Sequence, residues 1–244
     1  MNHIHAIPAL SDNYIWAIEY APGGLCAVVD PGCADSTMRY MKQHALTLTS
    51  ILITHHHPDH TGGIEALCAD KQVPVYGPAR EHIPCRSQAL QDGDVVTLPD
   101  SSLNLTVIDT PGHTKGHISY HGHGCLFCGD TLFLAGCGRL FEGTAQQLQH
   151  SLQRLASLPD DTLIYCGHEY TLNNLAFAQS IEPNNRCITQ RIETCKQQRQ
   201  QQQPTVPATL AQEKQSNPFL RCHLPDVQQA IGQQSGKAIT NALD

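Results

Sequence analysis

Short apolar runs that end at glycine, proline or polar turn residues make up most of the first two thirds of this 244-residue chain. Between Ile4 and Val29 such runs alternate with turns at 11–13 and 22–24, which predicts a β-meander. The polar stretch from 80 to 93 predicts a loop. Further strands are predicted at 51–54, 73–76, 95–98, 105–108, 125–128 and 163–166, and helices at 36–44 and 63–70.

The pattern becomes helical in the last third of the chain. Pro204 and Pro207 interrupt this region, because proline cannot continue a helix. The change in pattern predicts two domains, a catalytic domain at 1–167 and a small, mostly helical domain at 168–244. In the second domain, helices are predicted at 171–181, 191–203 and 227–231.

The loop after the strand at 51–54 concentrates potential metal ligands. Pro58 and the following glycines end the strand, so the ligands lie on a loop. Two of the histidines are two positions apart and can project the same way from extended backbone, while the other ligands lie beyond them on the turn. This arrangement favours two neighbouring metals over one. The candidate ligands here are His55, His57, Asp59 and His60.

Three later strands each run into a glycine followed by a potential ligand, namely His113, Asp130 and His168. Loops at strand ends can converge on one edge of a layered fold. The complete set then holds five imidazoles and two carboxylates. A single tetrahedral zinc uses three or four ligands, whereas two metals that share one carboxylate need about this many and keep positions for water. The sequence therefore predicts a dinuclear metal site.

Two other residues are candidates to support this site. Asp30, at the end of a predicted strand, is either a turn residue or a carboxylate that orients a ligand imidazole through its second nitrogen. His117, in the sequence Gly116-His117, is a candidate to support the site from behind the ligands. The isolated histidines are interpreted as core or surface residues: His3, His5, His44, His82, His150 and His223.

Two other motifs resemble functional sites but are interpreted as structure. The two glycines of the stretch at 121–124 predict a hairpin turn in preference to a metal site. Cys125 and Cys128 have the spacing of a redox pair. They fall inside an apolar strand, where alternate side chains face opposite ways, and therefore do not predict redox chemistry.

Composition narrows the class of protein. A net charge of −7 and a pI near 6.1 disfavour a nucleic-acid binder and favour a small-molecule substrate. No apolar run approaches the ~20 residues that span a bilayer, and the start of the chain shows no signal pattern. Eleven cysteines without regular spacing predict free thiols in a reducing compartment. We therefore expect a cytoplasmic monomer with no membrane partner.

The motif from Thr54 to His60 resembles the T-H-x-H-x-D-H signature of the metallo-β-lactamase superfamily, and His113, Asp130 and His168 match its remaining ligand positions. Within that superfamily the chain resembles the glyoxalase II, or hydroxyacylglutathione hydrolase, family. The resemblance implies an α+β fold, a four-layer αββα sandwich with metals at one edge, followed by a helical domain that helps to hold glutathione. It is carried by segments 12–14, 129–133, 136–144 and 167–171.

The resemblance also implies roles for the ligands. His55, His57 and His113 would bind one metal, Asp59, His60 and His168 the other, and Asp130 would bridge them. The family is usually described with zinc, although iron and manganese occur. The implied reaction is attack of a metal-bridging hydroxide, which Asp59 can orient, on the thioester of S-(2-hydroxyacyl)glutathione. Hydrolysis of S-lactoylglutathione in this way yields glutathione and D-lactate in methylglyoxal detoxification.

The same resemblance implies a substrate site at Arg139, Phe141 and Tyr170. Phe141 stands where a tyrosine is common, so a hydroxyl contact is absent there. The family also carries an Arg-x-x-Lys segment near its C-terminus. This sequence has no match to it, and Lys237 is its last basic residue. The contact to the glycine carboxylate of glutathione is therefore the part of the site that the resemblance does not supply.

Two alternatives remain open from the sequence. One is a mono-iron glutathione-persulfide dioxygenase, whose first domain is similar, although the Gly136-Cys137-Gly138-Arg139 segment and the helical domain favour the hydrolase. The other is a metal-binding protein that keeps the fold without turnover. Nuclease and β-lactamase activities are disfavoured by the acidic charge and by the glutathione-site segment.

Overall fold

The computed structural model describes residues 3–69, 72–239 and 241. The strands are β1 His3–Ala9, β2 Asn13–Ala21, β3 Leu25–Val29, β4 Thr47–Leu52, β5 Val75–Pro78, β6 Gln88–Leu90, β7 Val95–Thr97, β8 Asn104–Asp109, β9 Ile118–Gly122, β10 Cys125–Gly129, β11 Leu132–Phe133, β12 Gly136–Cys137, β13 Leu163–Cys166 and β14 Ala208–Thr209. The helices are α1 Ala34–Gln43, α2 Pro58–Thr61, α3 Ile64–Cys68, α4 Ala145–Ala156, α5 Thr171–Ile181, α6 Arg186–Gln200, α7 Leu210–Ser216, α8 Pro218–Arg221 and α9 Pro225–Ser235.

The first sheet has the strand order β1-β2-β3-β4-β5-β6. Its first three strands form an antiparallel meander, and β3 to β6 pair in parallel. Parallel pairing brings the loops after β3 and β4 to the same edge. They touch so closely that a Cβ on Gly32 would lie 1.7 Å from the carbonyl oxygen of Asp59, so only glycine fits there.

The second sheet has the order β14-β13-β10-β9-β8-β7. Strands β10 and β13 are parallel, with Gly129 opposite Cys166, so the loops that carry Asp130 and His168 start side by side. The Gly167 N–H donates to the Gly129 carbonyl at 3.0 Å and the Tyr14 N–H donates to the Gly167 carbonyl at 2.8 Å. The first bond continues the pairing of β10 with β13, and the second joins the two sheets at the edge where the candidate ligands lie.

Strand β2 shows why the sheets stack. Its alternate residues belong to two different cores, since Trp16 packs between the sheets while Ile15 and Ala17 pack on the opposite face, and all three are at most 3% exposed. Helices α1 and α3 cover that opposite face, and α4 packs its apolar side on the second sheet. The result is the expected α+β fold with four αββα layers.

The last part of the chain is mostly helical, as the sequence predicts. Helices α5 and α6 share a small core with the loop after β11, while β14 extends the second sheet. Asn217, fully buried, donates from Nδ2 to the carbonyls of Phe133 and Gly136 at 3.2 and 2.9 Å. In the described residues, no helix is long and apolar enough to cross a membrane.

Most element predictions are confirmed, including the meander, helix 171–181 and the hairpin turn at 121–124 between β9 and β10. The predicted loop at 80–93 is partly wrong, because residues 88–90 form β6 by pairing with β5. The sequence interpretation also omitted α4, α7 and α8. The predicted ligand loop after β4 is partly wrong, because Asp59 and His60 lie in the short helix α2, which begins at Pro58. The predicted helix at 63–70 is observed as α3, and Asp70 lies outside the described residues.

Candidate metal centre

The seven predicted ligands meet at the edge shared by the two sheets. Three of them form a group whose nitrogen atoms lie within 4.8 Å of one another: His55, His57 and His113. His57 Nδ1 lies 3.1 Å from both His55 Nε2 and His113 Nε2. Burial lowers the pKa of His55 and of His57, with neighbouring histidines adding to the effect, so these rings are neutral and offer lone pairs.

A second group consists of Asp59, His60 and His168. Asp59 Oδ2 lies 3.5 Å from His60 Nε2 and 3.4 Å from His168 Nε2. Asp130 stands between the groups, with Oδ1 3.3 Å from His60 Nε2 and Oδ2 3.3 Å from His168 Nε2 and 3.5 Å from His113 Nε2. One carboxylate thus faces ligands of both groups.

The site is built to accept cations. His60 Nε2 and Asp130 Oδ1 are buried and 3.3 Å apart, yet neither has a hydrogen-bond partner among the described residues. Buried polar atoms without partners are costly, and a divalent cation between them would remove that cost. Imidazole nitrogens with carboxylate oxygens are suitable donors for several divalent metals. The residues present therefore fit divalent metal ions.

Neighbouring opposite charges shift the pKa values of a carboxylate and a histidine in this site. Burial opposes the ionised form of Asp130, but His60 and its neighbours outweigh burial and hold the pKa of that carboxyl well below its usual range. Burial likewise lowers the pKa of His168, but Asp130 and Asp59 outweigh it and raise the pKa to about 10. A proton on the His168 ring competes with a cation for the same nitrogen, so metal binding would release protons.

The second nitrogen of each ligand ring has its own partner in most cases. His168 Nδ1 lies 2.7 Å from Asp12 Oδ1, and His113 Nδ1 donates to the Arg139 carbonyl at 2.8 Å. Asp30 Oδ2 lies 3.0 Å from His60 Nδ1, so of its two interpretations the structure favours the orienting carboxylate. Asp12 was not predicted to act here. It lies 156 residues from His168, and only its place in a segment typical of the family hinted at a role.

His117, the other candidate to support the site, lies behind the ligands and is fully buried. Its Nε2 accepts a hydrogen bond from the Asp130 N–H at 3.2 Å. Its Nδ1 then carries the hydrogen and donates to the hydroxyls of Thr110 and Thr131 at 2.9 and 3.1 Å. The ring also stacks on His55, with centroids 4.8 Å apart. His117 thus contacts a member of the first group and the backbone of Asp130.

The three predicted substrate residues lie at the mouth of the site. Phe141 is 60% exposed, and its ring centroid lies 5.5 and 5.2 Å from those of His57 and His113. The Arg139 guanidinium carbon lies 5.3 Å from the centre of the Phe141 ring. Across the site, the ring of Tyr170 stacks on His168 at 4.7 Å.

Two further contacts were missed by sequence reasoning. Asn13 Nδ2 donates to Asp59 Oδ2 at 3.0 Å, which orients the carboxylate. Glu81 is nearly buried and accepts from the N–H groups of His56 and Gly116 at 2.7 and 2.9 Å, so it connects the two histidine loops. Glu81 lies in the stretch predicted as loop, where a single carboxylate carries no recognisable signal.

Comparison with known families supports these observations. A model described as the metallo-beta-lactamase superfamily matches residues 10–168, and one described as hydroxyacylglutathione hydrolase C-terminus matches residues 169–243. Together the two matches span almost the whole chain.

Individual relatives give the same result. The chain is 52% identical to a hydroxyacylglutathione hydrolase of Alkalilimnicola ehrlichii, over 98% of this chain and 93% of the relative. It is 46% identical to one of Nitrosomonas europaea, over 100% and 92%. Among solved structures, ETHE1 from Myxococcus xanthus has a TM-score of 0.70 at 27% identity, over 99% of this chain and 96% of that one.

Proposed function

The chain belongs to the hydroxyacylglutathione hydrolase family of the metallo-β-lactamase superfamily, and from this we propose that it hydrolyses the thioester of S-(2-hydroxyacyl)glutathione. The products for S-lactoylglutathione are glutathione and D-lactate, as in methylglyoxal detoxification. The observation that carries this proposal is the convergence of five imidazoles and two carboxylates at one edge of the fold, in a chain whose residues 169–243 match the family's C-terminal domain.

We propose a division of labour between two domains, 1–167 and 168–244. The first would provide all of the proposed metal ligands except His168, and the second would provide His168 and help to hold glutathione. In support, the two family models meet between residues 168 and 169. Tyr170 and the buried Asn217 both lie in the second segment and contact the first at Phe133. The Phe133 ring centroid lies 5.1 Å from that of Tyr170, and the Phe133 carbonyl accepts a hydrogen bond from Asn217.

In this proposal His55, His57 and His113 hold one divalent ion, Asp59, His60 and His168 hold the other, and Asp130 is shared. Zinc is our choice of metal, since the donor set suits it, while iron or manganese would fit the same donors. A pair of such ions supplies a water whose pKa is lowered toward ~7 and positive charge for the developing oxyanion. The chain's own residues must then position that water and the substrate.

Asp59 and Asp130 are the catalytic carboxylates of this proposal. A hydrogen bond with His168 holds the pKa of Asp59 well below its usual range, so the group stays ionised and only accepts hydrogen bonds. Asn13 holds one of its oxygens at 3.0 Å, which leaves the other to orient the attacking water. The thiol of glutathione has a solution pKa of about 8.5, so the leaving thiolate needs little protonation and no side-chain acid is required.

The substrate residues differ in what they offer. Arg139 is exposed and carries a positive charge beside the site, which suits a carboxylate of glutathione. Phe141 presents an apolar ring next to His57 and His113. Burial, with a contribution from Asp12, raises the pKa of Tyr170 to about 12, so its hydroxyl remains a hydrogen-bond donor at neutral pH.

The test is hydrolysis of S-lactoylglutathione, followed at the thioester absorbance, with metal analysis of the same sample. We expect turnover with two metal ions per chain. Metal without thioester hydrolysis would refute the enzyme, and one iron per chain with oxygen uptake would support the dioxygenase instead. The match of residues 169–243 to the hydrolase C-terminal domain and the relatives named as hydrolases disfavour both alternatives.

We further propose a monomer in a reducing compartment such as the cytoplasm. Cys26, Cys128 and Cys166 support the second part, because each is a fully buried free thiol in a core strand. Sedimentation of the metal-loaded protein would test the first part, and a dimer would contradict it.

A further inference from the structure

A buried hydrogen-bond chain behind the metal centre joins ligands of both metal groups. Thr54 Oγ1 lies 2.6 Å from Asp30 Oδ2, and the same carboxylate oxygen lies 3.0 Å from His60 Nδ1. On its other side Thr54 Oγ1 lies 3.0 Å from His55 Nδ1. All four side chains are at most 4% exposed, so water does not compete for these contacts.

The hydrogen positions in this chain follow from the donor inventory. A carboxylate only accepts, so Asp30 Oδ2 receives both the Thr54 hydroxyl hydrogen and the His60 Nδ1 hydrogen. Thr54 has a single hydroxyl hydrogen, so toward His55 its oxygen can only accept. His55 Nδ1 therefore also carries a hydrogen. In the neutral form of each ring, which metal binding requires, Nε2 is then the unprotonated nitrogen, and Nε2 faces the metal centre.

We infer that Asp30 and Thr54 act as one positioning unit that presents Nε2 of His60 and Nε2 of His55 to their separate metals. The carboxylate acts on His60 directly and on His55 through the hydroxyl. This inference rests on the two-metal centre of the proposed function. Gly129 leaves the space that the Thr54 hydroxyl occupies, because a Cβ on Gly129 would lie 2.3 Å from Thr54 Oγ1.

The unit makes the two metal sites respond differently to two substitutions. Thr54→Val removes the acceptor for His55 Nδ1 but leaves the Asp30–His60 contact, so only the site that contains His55 should weaken. Asp30→Asn places an amide behind His60 and breaks the chain to Thr54, so both sites should weaken. Loss of a partner behind a ligand typically costs 10- to 100-fold in metal affinity, and we expect a change of that size.

The experiment titrates metal-free protein with Zn²⁺ against a chromophoric chelator, which yields two binding constants. Long-range ¹H–¹⁵N spectra assign each constant by the histidines that respond, and they read the tautomer of His55 directly. Thr162→Val is the matched control, because its buried hydroxyl has no hydrogen-bond partner among the described residues and lies outside the unit. Thr54→Ser keeps the hydroxyl and should keep both constants at their wild-type values.

The inference is supported if Thr54→Val weakens only the constant assigned to the His55 site and Thr54→Ser rescues it. It is overturned if Thr54→Val gives the same constants as Thr162→Val, or if it weakens both constants equally. A wild-type protein that binds fewer than two zinc ions would overturn the two-metal assignment together with this inference. If the wild type binds two zinc ions and Thr54→Val leaves both binding constants unchanged, this inference is overturned while the two-metal assignment stands.

Discussion

Replacing Gly167 by alanine tests how rigidly the metal centre is built. A Cβ on Gly167 would lie 2.5 Å from Asp130 Oδ1 and 2.8 Å from His60 Cε1. Neither side chain can retreat easily. His60 is 1% exposed and bound to Asp30, while the backbone N–H of Asp130 is held by His117. The added methyl group must therefore displace the Asp130 carboxylate or the His60 ring.

The size of the effect follows from the geometry. Ordinary Cβ contacts begin at 3.4 Å, so the Asp130 oxygen must move by 0.9 Å (3.4 − 2.5) if it alone yields. Misplacement of a catalytic group by about 1 Å costs roughly 100-fold in rate, equivalent to about 2.7 kcal/mol. We predict a fall of about this size in kcat for S-lactoylglutathione, measured as initial rates at saturating substrate on zinc-loaded protein.

Gly232→Ala provides the control. Gly232 lies in α9, away from the metal centre, and a Cβ there would lie 3.1 Å from the nearest atom. This variant should keep the wild-type kcat. Thermal unfolding of both variants separates a local effect from a loss of folded protein. A folded Gly167→Ala variant with wild-type kcat and two bound metals would show that Asp130 and His60 can move without loss of activity. That result would refute the rigidity from which the fall in kcat is predicted.

Three other changes test individual roles. Asp130→Asn should lower activity by more than about 100-fold and reduce bound metal below two ions per chain. Loss of a ligand shared by both metals should cost more affinity than loss of a residue that only orients a ligand, which typically costs 10- to 100-fold. Full turnover with two bound metals would contradict the bridging role of Asp130. Arg139→Ala should raise KM with little change in kcat, because a carboxylate contact remote from the carbonyl is made equally in ground and transition states; Lys196→Ala, an exposed cation on α6, serves as the control. Tyr170→Phe should raise KM by a constant factor from pH 6 to 9, since a pKa of about 12 keeps the hydroxyl protonated throughout; an effect that disappears within that range would contradict this role.

Local patterns in the sequence were enough for most elements. The meander and the helix at 171–181 have strong local signals, and the structure contains them. Helix α4 has apolar residues at 148, 152 and 155 and a capping box at its start, so its signal is present in the sequence although our interpretation did not include it. Strand β6 is different. Its three residues become a strand only by pairing with β5, which no local pattern can show.

For the metal centre, the sequence by itself determined the kinds of ligands and the strand ends that carry them, because strands that end in glycine and histidine or aspartate are a local signal. Tertiary structure alone decided which ring nitrogens face the metals. Asp12 reaches His168 across 156 residues, and Asp30 reaches His55 through the hydroxyl of Thr54. Such contacts depend on which loops the two stacked sheets bring together, and hydrogen bonds between residues so distant in sequence have no periodicity to reveal them.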